Sequence, residues 1–257
     1  MNIARQIFLV LLALTLSGCS RTPAETAPET TAEATAAITE AAPTVPETTA
    51  PEETVLHSGL REDGSFDEHT LFLGDSMTFG LVEHELRTSG TLGDARYAGK
   101  CGARVGIYHD GTRMAPDDRA VCYYSEEFQD MTMPEALRSV SEEILAIYYM
   151  FGTNYDQDGS SQDYVEVLDD ILEACPQATV YLQTVPKGNL PWDVINDRIQ
   201  GAYDHYAALG EDRVRLLDIN SAAGEFVVND GIHQAPPGRQ LWAQAIRDYA
   251  EQNNIAE

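Results

Sequence analysis

Short apolar runs alternate with amphipathic segments from residue 70 to the end of the chain. The run Glu143–Phe151 is apolar at nearly every position, as expected for a strand that is covered on both faces. The runs that predict β-strands are Thr70–Gly74, Asp94–Ala98, Glu143–Phe151, Ala178–Thr184 and Val214–Ile219. The segments whose apolar spacing predicts helices are Met77–Arg87, Asp163–Ala174, Pro191–Leu209 and Pro237–Glu251.

This alternation predicts a parallel sheet with helices on both faces, which is a three-layer α/β/α architecture. Binding sites in such sheets lie beyond the carboxyl ends of the strands, so chemical motifs should follow strands. The segment Tyr108–Asp130 has no clear periodicity and is read as a long insertion.

The amino-terminal segment has the features of a secretion signal. Arg5 provides positive charge, and Ile7–Leu16 is an apolar run too short to span a bilayer. The run ends in Leu16-Ser17-Gly18-Cys19, which resembles the lipobox of bacterial lipoproteins. That resemblance implies a signal peptide over residues 1–19, lipidation of Cys19 and anchoring to the outer face of the bacterial cytoplasmic membrane. An ordinary signal peptide with a chance cysteine is the alternative.

Residues 20–59 are dominated by Thr, Ala, Glu and Pro and have almost no apolar period. Such a segment cannot bury enough surface to offset its ordering entropy, so we predict a disordered stalk. The stalk would hold a folded domain, residues 60–257, away from the membrane.

The formal net charge of −26, from 16 basic and 42 acidic residues, limits the classes of partner. A nucleic-acid binder needs a basic face, so nucleic acid is excluded as a partner, and an anionic membrane surface would repel the chain. The lipid anchor is therefore the only membrane contact expected. Solubility explains the acidity, and a preference for neutral or cationic partners is the alternative.

Three further cysteines lack the spacing of a zinc site, so no structural metal is expected. Cys101 and Cys122 form the most plausible disulfide pair in an extracellular protein, which would leave Cys175 as a free thiol. The odd count keeps the fully reduced state open.

Two motifs carry the residue types of nucleophilic catalysis. Ser76, in Gly74-Asp75-Ser76-Met77-Thr78, follows the first predicted strand, where a helix amino terminus favours an oxyanion. Asp230-Gly231-Ile232-His233 could place a carboxylate against the imidazole that activates a serine. Each motif has a structural alternative: a helix cap for the first, and a capping aspartate beside a surface histidine for the second.

Two weaker motifs follow other predicted strands. Asn154, in Phe151-Gly152-Thr153-Asn154, could donate its amide to an oxyanion, and a glycine N–H in Ala98–Arg104 could do the same. Taken alone, each motif is better explained as a turn.

Together and in this order, the four motifs resemble the conserved blocks of the SGNH/GDSL hydrolase family. The resemblance implies a flavodoxin-like fold without metal or organic cofactor. It implies Ser76 as nucleophile and oxyanion donor, Gly102 and Asn154 as further oxyanion donors, His233 as base, and Asp230 as its orienting carboxylate. Cys101 stands where the family often has serine, which keeps Gly99 open as an alternative to Gly102.

The resemblance also implies ester hydrolysis, and three functions stay open. An anchored extracellular enzyme would act on small O-acyl esters, such as acetyl groups on glycans or cell-wall polymers. A lysophospholipase or thioesterase acting on acyl chains is the second function. The third is a lipid-anchored glycan-binding or scaffold protein that keeps the fold without turnover.

Overall fold

Five parallel strands form the centre of the protein in the computed structural model, which describes residues 56–108, 126–154, 157, 159–223 and 226–253. Their order across the sheet is β2-β1-β3-β4-β5. Every residue of the first, third and fourth strands is buried, which explains why they read as unbroken apolar runs. The strands are β1 (Thr70–Gly74), β2 (Arg96–Gly99), β3 (Ala146–Met150), β4 (Thr179–Gln183) and β5 (Val214–Leu217).

The helices form two groups that cover the two faces of this sheet. The segments are α1 (Ser76–Leu81), a π-helical segment (Val82–Leu86), α2 (Arg87–Ser89), α3 (Met133–Val140), α4 (Ser161–Ala174), α5 (Trp192–Leu209), α6 (Ile219–Ala223) and α7 (Pro236–Asn253). Short 3-10 segments occupy Val105–Tyr108 and Glu126–Phe128. In one group α1, the π-helical segment and α6 contact α7, and in the other α4 contacts α3 and α5. The predicted three-layer, flavodoxin-like architecture is therefore confirmed.

Stacked aromatic rings from the middle of three neighbouring strands fill part of the core. The ring of Tyr148 lies between those of Phe72 and Tyr181, with centroid distances of 5.1 and 4.8 Å. The two tyrosine hydroxyls donate to the carbonyl oxygens of Ser58 (2.8 Å) and His57 (2.9 Å). Ser58 is fully buried, so the last residues assigned to the stalk pack on the domain, and the folded part begins before residue 60.

All five predicted strands and all four predicted helices are present, with differences at their ends. The segment predicted as the strand Val214–Ile219 ends at Leu217, because Asp218 accepts hydrogen bonds from the backbone N–H groups of Asn220 (3.2 Å) and Ser221 (3.4 Å) at the start of α6. The predicted helix Met77–Arg87 corresponds to α1, the π-helical segment and α2 in succession.

Helix α3 was missing from the sequence prediction. It is closed at its amino end by a capping box, in which Thr132 N–H donates to Glu135 (2.7 Å) and Glu135 N–H donates to the Thr132 hydroxyl (3.3 Å). Pro134 in the first turn also favours a helix start. Its buried residues Met133, Ala136, Leu137 and Val140 follow the i, i+3, i+4, i+7 spacing of a helix, so this spacing and the Thr-x-x-Glu pattern were both available as signals.

Several predictions concern residues outside the described ranges. Cys101 is bonded in a disulfide, Cys175 is a buried free thiol, and the predicted partner Cys122 lies outside the described residues. The predicted signal peptide, Cys19, most of the predicted stalk and residues 109–125 of the insertion also lie outside them. Within the described ranges, no helix is long and apolar enough to cross a membrane.

Candidate active site

Ser76 lies at the carboxyl edge of the sheet, where the strand order reverses. It follows β1 directly and is the first residue of α1, and its backbone N–H has no partner among the described residues. Asp75 caps the helix by accepting a hydrogen bond from Met77 N–H at 2.9 Å. The capping alternative therefore applies to Asp75, while the hydroxyl and N–H of Ser76 remain available for chemistry.

His233 joins Ser76 to Asp230. Its Nε2 atom lies 3.0 Å from the Ser76 hydroxyl oxygen, and its Nδ1 atom lies 2.8 Å from a carboxylate oxygen of Asp230. The other carboxylate oxygen of Asp230 accepts the backbone N–H groups of Ile232 (3.1 Å) and His233 (2.8 Å). The structure thus brings together the three residues that the sequence singled out for catalysis.

These hydrogen bonds decide which nitrogen of His233 carries the proton. The His233 side chain, with the two backbone donors, holds the pKa of Asp230 well below its ordinary value. Because Asp230 stays ionised, its carboxylate accepts a hydrogen bond from the protonated Nδ1, which leaves the lone pair of Nε2 facing Ser76. This is the tautomer that a general base needs.

Gly231 shapes the loop that holds Asp230 and His233. Its φ of +87° lies in the left-handed region, and a Cβ atom there would sit 2.8 Å from Nδ2 of Asn189. The loop is closed by a hydrogen bond from Asn229 N–H to His233 C=O at 2.9 Å. Glycine is therefore required for the turn between the carboxylate and the imidazole.

Gly102 is the better placed of the two candidate oxyanion glycines. It is exposed, has a φ of +76°, and its N–H has no partner among the described residues. Gly99 instead ends β2, where a Cβ atom would lie 2.2 Å from the carbonyl oxygen of Gly74. The structure therefore gives Gly99 a packing role between strands.

Asn154 follows β3, but its amide is already engaged. Its Nδ2 atom donates to the carbonyl oxygen of Ala103 at 2.9 Å and approaches the Asp75 carboxylate at 3.5 Å. The second contact is at the limit of a hydrogen bond, so this hydrogen is the one that an oxyanion could recruit. The amide thus ties together the loops after β2 and β3 in the protein without substrate.

Asp75 is a site residue that the sequence analysis treated only as a cap. Its carboxylate is fully buried and accepts the Thr153 hydroxyl at 2.5 Å as well as Met77 N–H. Burial raises the pKa of Asp75 to about 6, against the opposing effect of these hydrogen bonds. The buried carboxylate links the loop after β1, which holds Ser76, to the loop after β3, which holds Asn154.

Comparisons with solved structures found similar folds. A family 3 carbohydrate esterase from Clostridium thermocellum is 14% identical, with a TM-score of 0.49, over 71% of this chain and 94% of that one. A carbohydrate esterase family 3 protein from Talaromyces cellulolyticus is 16% identical, with a TM-score of 0.47, over 71% and 96%. A member of the lipolytic G-D-S-L family from Veillonella parvula is 18% identical, with a TM-score of 0.42, over 70% and 96%.

The chain has a three-layer α/β/α fold around a five-stranded parallel sheet. No protein-family model and no curated protein matches the sequence. At these identities and TM-scores, what the site can do follows from its own residues.

A pocket of about 370 Å³ opens beside the triad and extends toward α1 and α7. Ser76, Asp230 and His233 line one part of it, and Met77 and Phe79 provide apolar surface. The lining also includes His84 and Arg239, neither of which the sequence analysis assigned to the site. Their contribution could not be read from a local motif, because α1, the π-helical segment and α7 meet only in the fold.

Proposed function

We propose that the protein is a serine ester hydrolase in which Ser76 is the nucleophile, His233 the general base and Asp230 the residue that orients the base. The observation that carries this proposal is the position of His233 within hydrogen-bond distance of both other side chains. A hydroxyl that is weakly acidic in water becomes a nucleophile when an imidazole accepts its proton during attack.

The reaction proceeds in two steps. Nε2 of His233 takes the Ser76 proton as the hydroxyl oxygen attacks an ester carbonyl, and the protonated imidazole then gives that proton to the departing alkoxide. Water, deprotonated by the same imidazole, hydrolyses the acyl-enzyme and restores Ser76. The N–H groups of Ser76 and Gly102 and the Asn154 amide are the proposed oxyanion donors, and losing one such donor costs about 100- to 1,000-fold in kcat.

The proposed substrates are O-acetyl esters of glycans or cell-wall polymers. The pocket of about 370 Å³ lies at the small end of ligand sites, which supports a short acyl group together with part of the alcohol. A lipid anchor on Cys19 and a stalk that ends near residue 56 are part of the same proposal. They would hold the domain outside the membrane and within reach of the wall.

The first experiment measures ester turnover by residues 51–257 without the signal peptide. p-Nitrophenyl acetate, butyrate and octanoate are compared, and acetate release is measured from O-acetylated glycans. Ser76→Ala should abolish turnover, whereas Ser139→Ala, which removes an exposed hydroxyl on α3, should leave it unchanged.

The chain-length profile separates the alternatives. Highest activity on acetate, with acetate release from glycans, supports the proposal, whereas activity that rises to octanoate favours the lysophospholipase or thioesterase function. A folded wild-type protein that turns over no ester faster than Ser76→Ala would favour a binding or scaffold protein.

The proposed anchor has its own test. The full chain and a Cys19→Ser variant are expressed in a bacterial host, and membranes are separated from soluble material. Wild type in the membrane fraction and Cys19→Ser released from it would support lipidation, while identical distributions would contradict it.

A further inference from the structure

We infer that the pocket beside Ser76 binds an anionic oxygen group of the substrate, a carboxylate or a phosphate, through the guanidinium of Arg239. The inference deepens the proposed function, on which it rests, by assigning a charge to the substrate. Arg239 lies in the first turns of α7 and lines the same pocket as the triad.

Arg239 is held by a hydrogen bond from its guanidinium and by the burial of its Nε atom. Its Nη1 donates to the carbonyl oxygen of Gln234 at 2.6 Å, next to His233 in the chain. Its Cδ atom lies 3.9 Å from the position that a Cβ of Gly80 would occupy, an ordinary van der Waals distance, so the arginine stem passes beside Gly80 on α1. A guanidinium fixed in this way loses little conformational entropy when it binds a ligand.

No carboxylate among the described residues neutralises the charge of Arg239. Arg61, Arg87 and Arg213 each pair with a carboxylate within 2.8 Å, whereas no described carboxylate lies within ion-pair distance of Arg239. Nη2 of Arg239 has no hydrogen-bond partner among the described residues. This atom is accessible to solvent. This donor is therefore free for a ligand.

Asp230 and His84 also line the pocket, and neither contacts this donor. Both oxygens of Asp230 are occupied by His233 and the backbone, as described above, and the His84 ring packs edge-on against Phe79 at 5.5 Å. In a protein with a net charge of −26, an arginine that has no carboxylate partner in the described ranges and lines the same pocket as Ser76 is a local exception to the negative charge.

The chemistry of the guanidinium sets the class of ligand. Its planar N–H groups match the oxygens of carboxylates and phosphates, and a charge-assisted hydrogen bond is stronger than a neutral one. A purely apolar acyl chain would instead cover an arginine without giving it a partner, which is unfavourable.

The test compares anionic esters with neutral partners of similar shape. Mono-p-nitrophenyl glutarate against p-nitrophenyl pentanoate places the charge on the acyl part, and 4-acetoxybenzoate against 4-acetoxybenzamide places it on the alcohol part. 4-Acetoxyphenyl phosphate tests phosphate in place of carboxylate. Each ester is assayed with wild type and Arg239→Met, so that intrinsic reactivity cancels in the ratio of kcat/KM values.

Arg239→Met should reduce kcat/KM for at least one anionic ester by about tenfold to a hundredfold relative to its neutral partner. Arg239→Lys should retain part of the preference, because it keeps the charge but not the planar fork. Arg247→Met removes the same charge from α7 outside the pocket lining and should change neither ester.

Two results would overturn the inference while leaving ester hydrolysis intact. One is an equal loss on neutral and anionic esters in Arg239→Met, which would show that Arg239 only positions the Gln234 carbonyl and the His233 loop. The other is turnover of all esters that does not change in Arg239→Met.

A binding measurement decides the inference even if no ester is turned over. Calorimetric titration with glutarate and with inorganic phosphate should give a Kd at least about tenfold lower for wild type than for Arg239→Met, with Arg247→Met like wild type. Equal affinity, or no binding of either anion to wild type, would contradict the inference.

Discussion

Replacing Asp75 by asparagine should change how stability depends on pH. The carboxylate is fully buried beneath Ser76, and burial raises its pKa from 3.8 to about 6. The folded state therefore holds this proton more tightly than the unfolded chain does. The resulting stabilisation is fully present below the unfolded pKa and is lost as the pH rises through the folded pKa.

The size of the effect follows from the shift. A displacement of about two pKa units corresponds to about 3 kcal/mol of differential interaction, most of which falls between about pH 4 and about pH 7.5. Asparagine does not titrate but preserves the shape of the side chain. The free energy of unfolding of wild type minus that of Asp75→Asn should therefore fall by about 2 to 3 kcal/mol across this interval.

Urea denaturation of both proteins at several pH values gives these free energies by linear extrapolation. Asp248→Asn, which removes an exposed carboxylate on α7, serves as the control and should follow wild type at every pH. Parallel pH profiles for wild type and Asp75→Asn would refute the account of Asp75 as a buried, titrating carboxylate. So would a difference that grows in the opposite direction.

The remaining predictions concern the triad and its loop. Ser76→Ala should lower kcat for the best ester by about a millionfold, measured by steady-state kinetics in protein free of other esterases. Asp230→Asn should lower kcat by about 10,000-fold, because the amide no longer selects the His233 tautomer with a lone pair on Nε2. A kcat close to that of wild type in this variant would contradict the role of Asp230. Gly231→Ala should lower both kcat and the melting temperature, because residue 231 has a φ of +87° and a Cβ there would lie 2.8 Å from Nδ2 of Asn189. The control Gly90→Ala, at a φ of +80° with no atom near the new Cβ, should lower only the melting temperature.

The centre of the sheet could be predicted because β1, β3 and β4 are nearly continuous apolar runs, whereas the edge strands β2 and β5 contain Arg96 and Arg215. Burial on both faces leaves this local signature, so the bounds of β1 agree with the prediction residue for residue. Where a polar side chain ends a strand, as Asp218 ends β5 before α6, the apolar pattern alone predicts a strand that is too long. The helix α3 was overlooked because its apolar spacing covers only two turns, although that spacing and its capping box both indicate a helix.

The triad residues could be proposed from sequence because each is part of a local motif that follows a strand or precedes a helix. Residues that act through distant pairing could not be found in this way. The role of Asp75 becomes visible only when the fold places Thr153 against its carboxylate. The position of Arg239 in the pocket becomes visible only when α7 packs on α1 beside Gly80. Such contacts depend on the layer packing, which periodicity does not encode.

Covalent trapping tests the central claim, that Ser76 is the nucleophile, most directly. The protein is treated with a fluorophosphonate, which forms a stable adduct with an activated serine, and the modified peptide is identified by mass spectrometry. The account predicts one adduct, on Ser76, that is absent from Ser76→Ala and forms far more slowly in His233→Ala. A folded wild-type protein that takes up no label, or carries it on another residue, would contradict the account.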